Sequence, residues 1–198
     1  MSQTFLNNRK TIRLTNWNYS WKSLYFVTIN TRFGENYFGD IVNGVLYLNE
    51  IGKEAEKQWL LTPAIRPDMN LHLDDFIIMP NHFHAIIGIG YNNYNRDIRS
   101  LSEFLLPDSN SINKSKFLNG IKIKEAQSCF GPQRKNLGSI IRGFKSSVTQ
   151  RCRIQNKEFN WHSRYYDIII RDEKMLNNIR NYIKNNPLQW KLDRFNKQ

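Results

Sequence analysis

The chain has 198 residues and a mass of 23.6 kDa, and its 29 Lys+Arg against 17 Asp+Glu give a formal net charge of +12 and a pI near 9.8. That length predicts one domain that can bury a sizeable core without a disulfide or a metal. A content of 40% hydrophobic and 13% aromatic residues excludes a wholly disordered chain. The longest apolar stretch, residues 76–90, is broken by Pro80, Asn81, His82 and His84 and is too short and too polar to span a bilayer. Residues 1–20 hold no apolar segment of the secretory kind, so no secretory signal is expected. Cys129 and Cys152 form no CxxC pair, which fits a reducing cytosol.

In chain order, residues 1–20 are polar and basic, with Arg9, Lys10 and Arg13, and are expected to form an arm. Residues 24–31 have the β-branched and aromatic richness of a buried strand. Residues 34–40 read as a turn and 44–48 as a short strand, which predicts a hairpin. A helix opens at Asn49 or Glu50 and runs to about Leu61, with Ile51, Ala55 and Trp59 near helical spacing; Pro63 and Pro67 end it. Residues 75–89 read as one long strand, or two collinear strands, kinked at Pro80-Asn81. Residues 91–133 turn Asn- and Ser-rich, as expected of an insertion or surface excursion holding one short helix near 98–106.

Residues 137–153 form a predicted helix with Ile140, Ile141, Phe144 and Val148 on one side and Arg142, Lys145, Arg151 and Arg153 on the other. A strand follows at 165–171. A last helix starts at Asp172-Glu173, acidic in its first turn as the macrodipole favours, and runs to Asn185 before Pro187. Strands interleaved with helices predict an α+β sandwich, with helices packed on one mostly antiparallel sheet.

Charge is uneven along the chain. Residues 134–198 hold 15 Lys+Arg against 5 Asp+Glu, whereas the first 133 residues hold 14 against 12. A concentrated basic region suits a polyanion, because Lys and Arg release counterions from phosphates. Aromatic residues in the same region could stack on bases. The competing readings are a solvated basic surface and, more weakly, an anionic membrane. No segment pairs a wide apolar face with a purely basic one, so the membrane is not the expected partner.

Within the apolar run, His82 and His84 are two apart on a strand, so they share a face while Phe83 points into the core. Two imidazoles so placed could share a metal ion; two hydrogen-bonded structural histidines are the plainer alternative. Tyr182 and Asn186 are four apart on the last helix and share a face. Leu176, Ile179 and Ile183 mark the adjoining apolar stripe. A phenol can attack a phosphodiester and hold a covalent intermediate, and an amide oxygen from Asn186 would be a reasonable third metal ligand. Tyr182 packing at the edge of the stripe is the alternative, and Tyr165 and Tyr166 compete as nucleophiles by residue type.

Four stretches carry a family resemblance: YFVTINT at 25–31, MPNHFHAIIGI at 79–89, GSIIRGFKSSVTQR at 138–151 and WHSRYYDIIIRDEKMLNNIRNYIKNNPLQW at 161–190. HxH followed by a YIxxNPxxW ending resembles the REP-associated tyrosine transposases, single-tyrosine members of the HUH (His–hydrophobic–His) nuclease superfamily. The resemblance implies a ferredoxin-like fold of HUH-nuclease type, a divalent metal ion (Mg²⁺ or Mn²⁺) and cleavage of single-stranded DNA near hairpins. It places His82 and His84 as the metal-binding pair, Tyr182 as the nucleophile and Asn186 as the third ligand. The DNA grip is expected from Arg9, Lys10, Arg13, Arg142, Lys145 and Arg151. Many relatives read YYEHIIR where this chain has YYDIIIR, so Ile168 stands where they carry histidine.

The expected protein is therefore a transposase-like endonuclease and strand transferase acting through a 5′-phosphotyrosine. Its expected location is the bacterial cytoplasm at the nucleoid, as a monomer or homodimer. The alternative expectation is a non-catalytic, hairpin-DNA-binding regulator derived from such an enzyme.

Overall fold

The computed structural model describes residue 14 and residues 17–95, 134–193 and 195–196. The arm residues Arg9, Lys10 and Arg13, and the expected helix near 98–106, lie outside the described residues.

The main sheet has four strands, β1 (Ser23–Asn30), β4 (Leu71–Met79), β5 (His82–Ile89) and β6 (Tyr166–Ile170), in the order β4-β5-β1-β6. Every neighbouring pair in it is antiparallel. Helix α1 (Glu50–Ile65) connects β1 to β4, and α2 (Leu137–Ile154) connects β5 to β6. The connectivity β-α-β-β-α-β in this order is a ferredoxin-like sandwich, as expected. Between β1 and α1 a separate two-stranded hairpin, β2 (Gly39–Val42) and β3 (Val45–Leu48), is inserted, and α3 (Glu173–Asn185) follows β6.

Strand alternation divides the sheet into two faces. Tyr25, Val27 and Ile29 of β1 and Phe83, Ala85 and Ile87 of β5 join Trp59 of α1 and Phe144 of α2 in the main core. There the rings of Trp59, Phe83 and Phe144 meet with centroids 4.9–5.3 Å apart. The opposite face holds a smaller cluster of Phe26, Ile86, Ile170 and Ile183, against which Met175, Leu176 and Ile179 of α3 pack. Every residue of β5 is buried because helices cover both of its faces. His82 and His84 therefore lie on the α3 face, and Phe83 lies in the core, as the alternation predicts.

The helices begin at side-chain caps. Asn49 accepts from Gly52 N, Asn136 and Ser139 form a capping box, and Asp172 accepts from Met175 N.

Three expectations are corrected. Residues 75–89 are not collinear: β4 and β5 fold back on each other through the two-residue link Pro80-Asn81. Proline has no N–H for a central ladder but suits a turn. Here the Pro80 and Asn81 carbonyls accept from Phe38 N and Thr31 N, which pins the turn to the chain after β1. The early hairpin is β2 with β3, not residues 24–31 with 44–48. Its Asn43-Gly44 turn takes φ of 52° and 77°, the left-handed pair that a tight hairpin favours. Helix α1 runs to Ile65 past Pro63, which sits in its last turn: proline removes one backbone bond there, and the helix ends two residues later.

Candidate active site

His84 is 1% exposed and lies across from Thr28 in the β1–β5 register. Its Nδ1 is 2.9 Å from Thr28 Oγ1 and its Nε2 is 3.1 Å from the Tyr182 hydroxyl. The ring stacks on Phe26 at 5.3 Å. Both imidazole nitrogens are thus engaged, one by the sheet and one by α3.

His82 is fully buried, and its Nδ1 is 2.8 Å from Asn81 Oδ1. The Asn81 amide nitrogen donates to the carbonyls of Gly34 and Phe195 at 3.1 and 2.7 Å. That orients the amide oxygen toward the ring, so His82 Nδ1 carries the proton and donates. Nε2 faces Asp193, whose Oδ2 is 3.9 Å away. The Phe195 ring packs 4.7 Å from His82, so the chain after α3 folds over the histidine pair.

Tyr182 sits on the last full turn of α3, 39% exposed. Besides its apolar stripe, α3 is tied to β4 by ion pairs at the irregularity between Leu73 and Phe76. Arg180 grips Asp74 with two nitrogens at 2.9 and 2.5 Å, and Lys184 lies 3.3 Å from Asp75. The Arg180 guanidinium holds the Asp74 carboxyl below its ordinary value. Tyr182 reaches His84 of its own chain, so within this fold the nucleophile candidate and the histidine pair meet without a second subunit.

Asn186 caps the end of α3 and is 1% exposed, and its Oδ1 has no hydrogen-bond partner among the described residues. Phe26, Thr28, His84, Tyr182, Asn186 and Asp193 line one cavity of about 420 Å³. Burying an amide oxygen without a partner is costly, and a hydrogen-bond donor or a cation would satisfy it. Among the described residues no three His, Cys, Asp or Glu side chains form a ready-made cage. His84, Asn186 and Asp193 share that cavity, and the His82 ring lies 4.5 Å from that of His84. Neutral imidazole nitrogen with oxygen donors fits a divalent ion such as Mn²⁺.

The basic face of α2 is elsewhere. Helix α2 packs on the core face, so Arg142, Lys145 and Arg151 lie across the sheet from Tyr182. The Lys145 ammonium donates to the His162 carbonyl at 2.5 Å, and burial pulls its pKa down to about 8. Arg151 Nε is 4.0 Å from Glu54. Tyr165 packs against the main core, whereas Tyr166 is exposed opposite Thr28. Ile168 pairs with Phe26 and is exposed.

Thr28, Asn81 and Asp193 were not among the residues expected at the site. Thr28 and Asn81 had a faint signal, as a polar residue within an apolar strand and as the neighbour of His82. Asp193 had none, because only the tertiary fold brings it to His82.

No family model matches the chain. An uncharacterized protein of Haemophilus influenzae is 33% identical over 189 residues, covering 95% of this chain and 93% of that one. This chain belongs to the same family as that protein. Among solved structures, a REP-associated tyrosine transposase bound to a REP hairpin superposes with a TM-score of 0.51 at 14% identity, covering 94% of this chain and 77% of that one.

The chain has the REP-associated tyrosine transposase fold.

Within that fold the HxH strand is β5 and the tyrosine helix is α3. Among the described residues no helix is long and apolar enough to cross a membrane.

Proposed function

We propose that the chain is a metal-dependent endonuclease and strand transferase that acts on single-stranded DNA beside a hairpin through a 5′-phosphotyrosine. The observation that carries this reading is the 3.1 Å approach of the Tyr182 hydroxyl to His84 Nε2, with His82 and Asn186 at the same end of the sheet. The fold shared with a transposase bound to a REP hairpin supports DNA as the partner.

In the cleavage step Tyr182 Oη bonds to phosphorus as the bond from phosphorus to the 3′ oxygen breaks. The phenol loses its proton and the 3′ oxygen gains one, so the products are a 5′-phosphotyrosyl strand and a free 3′-hydroxyl. Attack by another 3′-hydroxyl reverses the step and joins strands without ATP. His84 and the packing of α3 position the phenol; Thr28 and Asn81 orient the two rings. His82, His84 and Asn186 would hold the divalent ion, which supplies neutralisation of charge on a non-bridging phosphate oxygen.

The test is incubation of purified protein with labelled hairpin-bearing single-stranded DNA and Mn²⁺ or Mg²⁺, read as an SDS-resistant protein–DNA adduct. A metal-dependent adduct that Tyr182→Phe loses is the expected result. Tight hairpin binding with no adduct would leave the DNA-binding regulator in its place.

A further inference from the structure

We infer that Asp74 and Asp75 are positioning residues for Tyr182: by holding Arg180 and Lys184 they set the roll of α3 about its axis and so aim the phenol. The inference rests on the tyrosine-nucleophile reading above. The device begins in the sheet. Leu73 lies opposite Ile87 and Phe76 opposite Ala85, so β4 carries one residue more than β5 between these pairs. Leu73 and Phe76 both pack toward the main core. In a regular strand Asp74 and Asp75 would point to opposite faces. The extra residue of a bulge re-aims a side chain, and here both carboxylates reach α3.

Arg180 and Lys184 are one turn apart on one flank of the stripe Leu176, Ile179 and Ile183, and Tyr182 and Asn186 are one turn apart on the other flank. An apolar stripe holds the helix down, but apolar attraction is non-directional and resists roll weakly. The ion pairs add direction. Arg180 takes Asp74 through two nitrogens at 2.9 and 2.5 Å, a planar two-point contact. Lys184, 3.3 Å from Asp75, holds the same flank one turn later. With that flank fixed to β4, the opposite flank sets the Tyr182 hydroxyl 3.1 Å from His84 Nε2 and its ring edge-on to Phe26, 6.1 Å between centroids. A small roll would matter, because a misplacement of about 1 Å can cost about 100-fold in rate.

The experiment compares the full chain as wild type, Arg180→Gln and Asp74→Asn, with labelled hairpin-bearing single-stranded DNA and Mn²⁺, at a temperature where circular dichroism shows each folded. The expected result is single-turnover adduct formation at saturating DNA at least tenfold slower in both variants, with hairpin affinity undiminished. A wild-type rate in Arg180→Gln overturns the inference. A second readout needs no activity. Nuclear Overhauser cross-peaks between the Tyr182 and Phe26 rings should weaken in Arg180→Gln, while those between Trp59 and Phe83 in the main core persist. Unchanged Tyr182–Phe26 cross-peaks overturn the inference. Absence of adduct from the wild type counts against the proposed function, and the ring cross-peaks then decide the inference by themselves. Should Asp74→Asn not fold, Arg180→Gln decides, because Arg180 is changed on the part-exposed surface of the helix.

Discussion

The hydroxyl of Tyr182 and Nε2 of His84 stand 3.1 Å apart, although 98 positions separate the two residues in the chain. His84 Nδ1 is already engaged by Thr28, so Nε2 is the ring nitrogen through which His84 would hold an ion. On the proposed reading Tyr182 and a metal ion would compete for that atom, and an ion held there would free the phenol. Tyr182→Phe should abolish the covalent adduct, leave hairpin binding within about twofold and leave Mn²⁺ affinity undiminished or raised. An adduct that persists would move the nucleophile to Tyr166, the exposed tyrosine opposite Thr28. Weaker Mn²⁺ binding would show that the two do not compete.

Thr28→Val keeps the shape of the side chain and removes the hydroxyl that meets His84 Nδ1. Outer partners of this kind orient a ligand ring and fix its tautomer, and their loss costs roughly 10–100-fold in metal affinity or rate. Single-turnover adduct formation should fall by that range while the melting temperature stays close to wild type. A full rate in Thr28→Val would mean that packing on Phe26 alone holds the ring.

The grip of Arg180 on Asp74 should be visible as acid-sensitive stability. The folded-state value of the Asp74 carboxyl lies below its ordinary 3.8, so the unfolded chain takes up its proton first as the pH falls. The contribution is complete above that unfolded value and is lost as pH drops through the folded one. Both side chains are part-exposed, so Asp74→Asn should cost about 1 kcal/mol near neutrality. Chemical denaturation at a series of pH values checks this: the wild type and variant curves should converge well below pH 3.8. A gap that persists in acid would show that something other than the charge is lost.

The two cations of α2 should contribute unequally to DNA binding. Lys145 donates to the His162 carbonyl and is only part-exposed, whereas Arg142 is exposed. If this face meets DNA, Arg142→Ala should lower the slope of log affinity against log salt by about 1, and Lys145→Ala should change it by less. A slope untouched by both substitutions would place the DNA on the α3 side alone.

In the core, Phe83→Ala removes the ring that meets both Trp59 and Phe144. The expected loss is about 3–5 kcal/mol, read from denaturant unfolding. A cost under about 1 kcal/mol would mean that the core collapses around the gap.

The α+β class, the three helices, and the placement of His82 and His84 on one face with Phe83 on the other were legible in the sequence, because each depends on local periodicity or spacing. So was the pairing of Tyr182 with Asn186 along one helix. The Pro80-Asn81 turn was misread as a kink, because an apolar run that is buried on both faces carries no mark of where the chain reverses. The position of the basic helix was also out of reach. Residues 137–153 show an apolar side and a basic side, but not which face of the sheet the apolar side will cover.

What the sequence by itself determined is the chemistry available: two imidazoles two apart, a phenol and an amide four apart, and an excess of positive charge toward the end. Only the tertiary structure decided which of these groups meet. The antiparallel pairing of β1 with β5 sets Thr28 beside His84, the apolar stripe of α3 lowers Tyr182 onto the same ring, and the turn after α3 returns Asp193 to His82. Periodicity reports which side of an element is apolar. The partner that covers that side is chosen by packing over long chain separations, and here that choice builds the site.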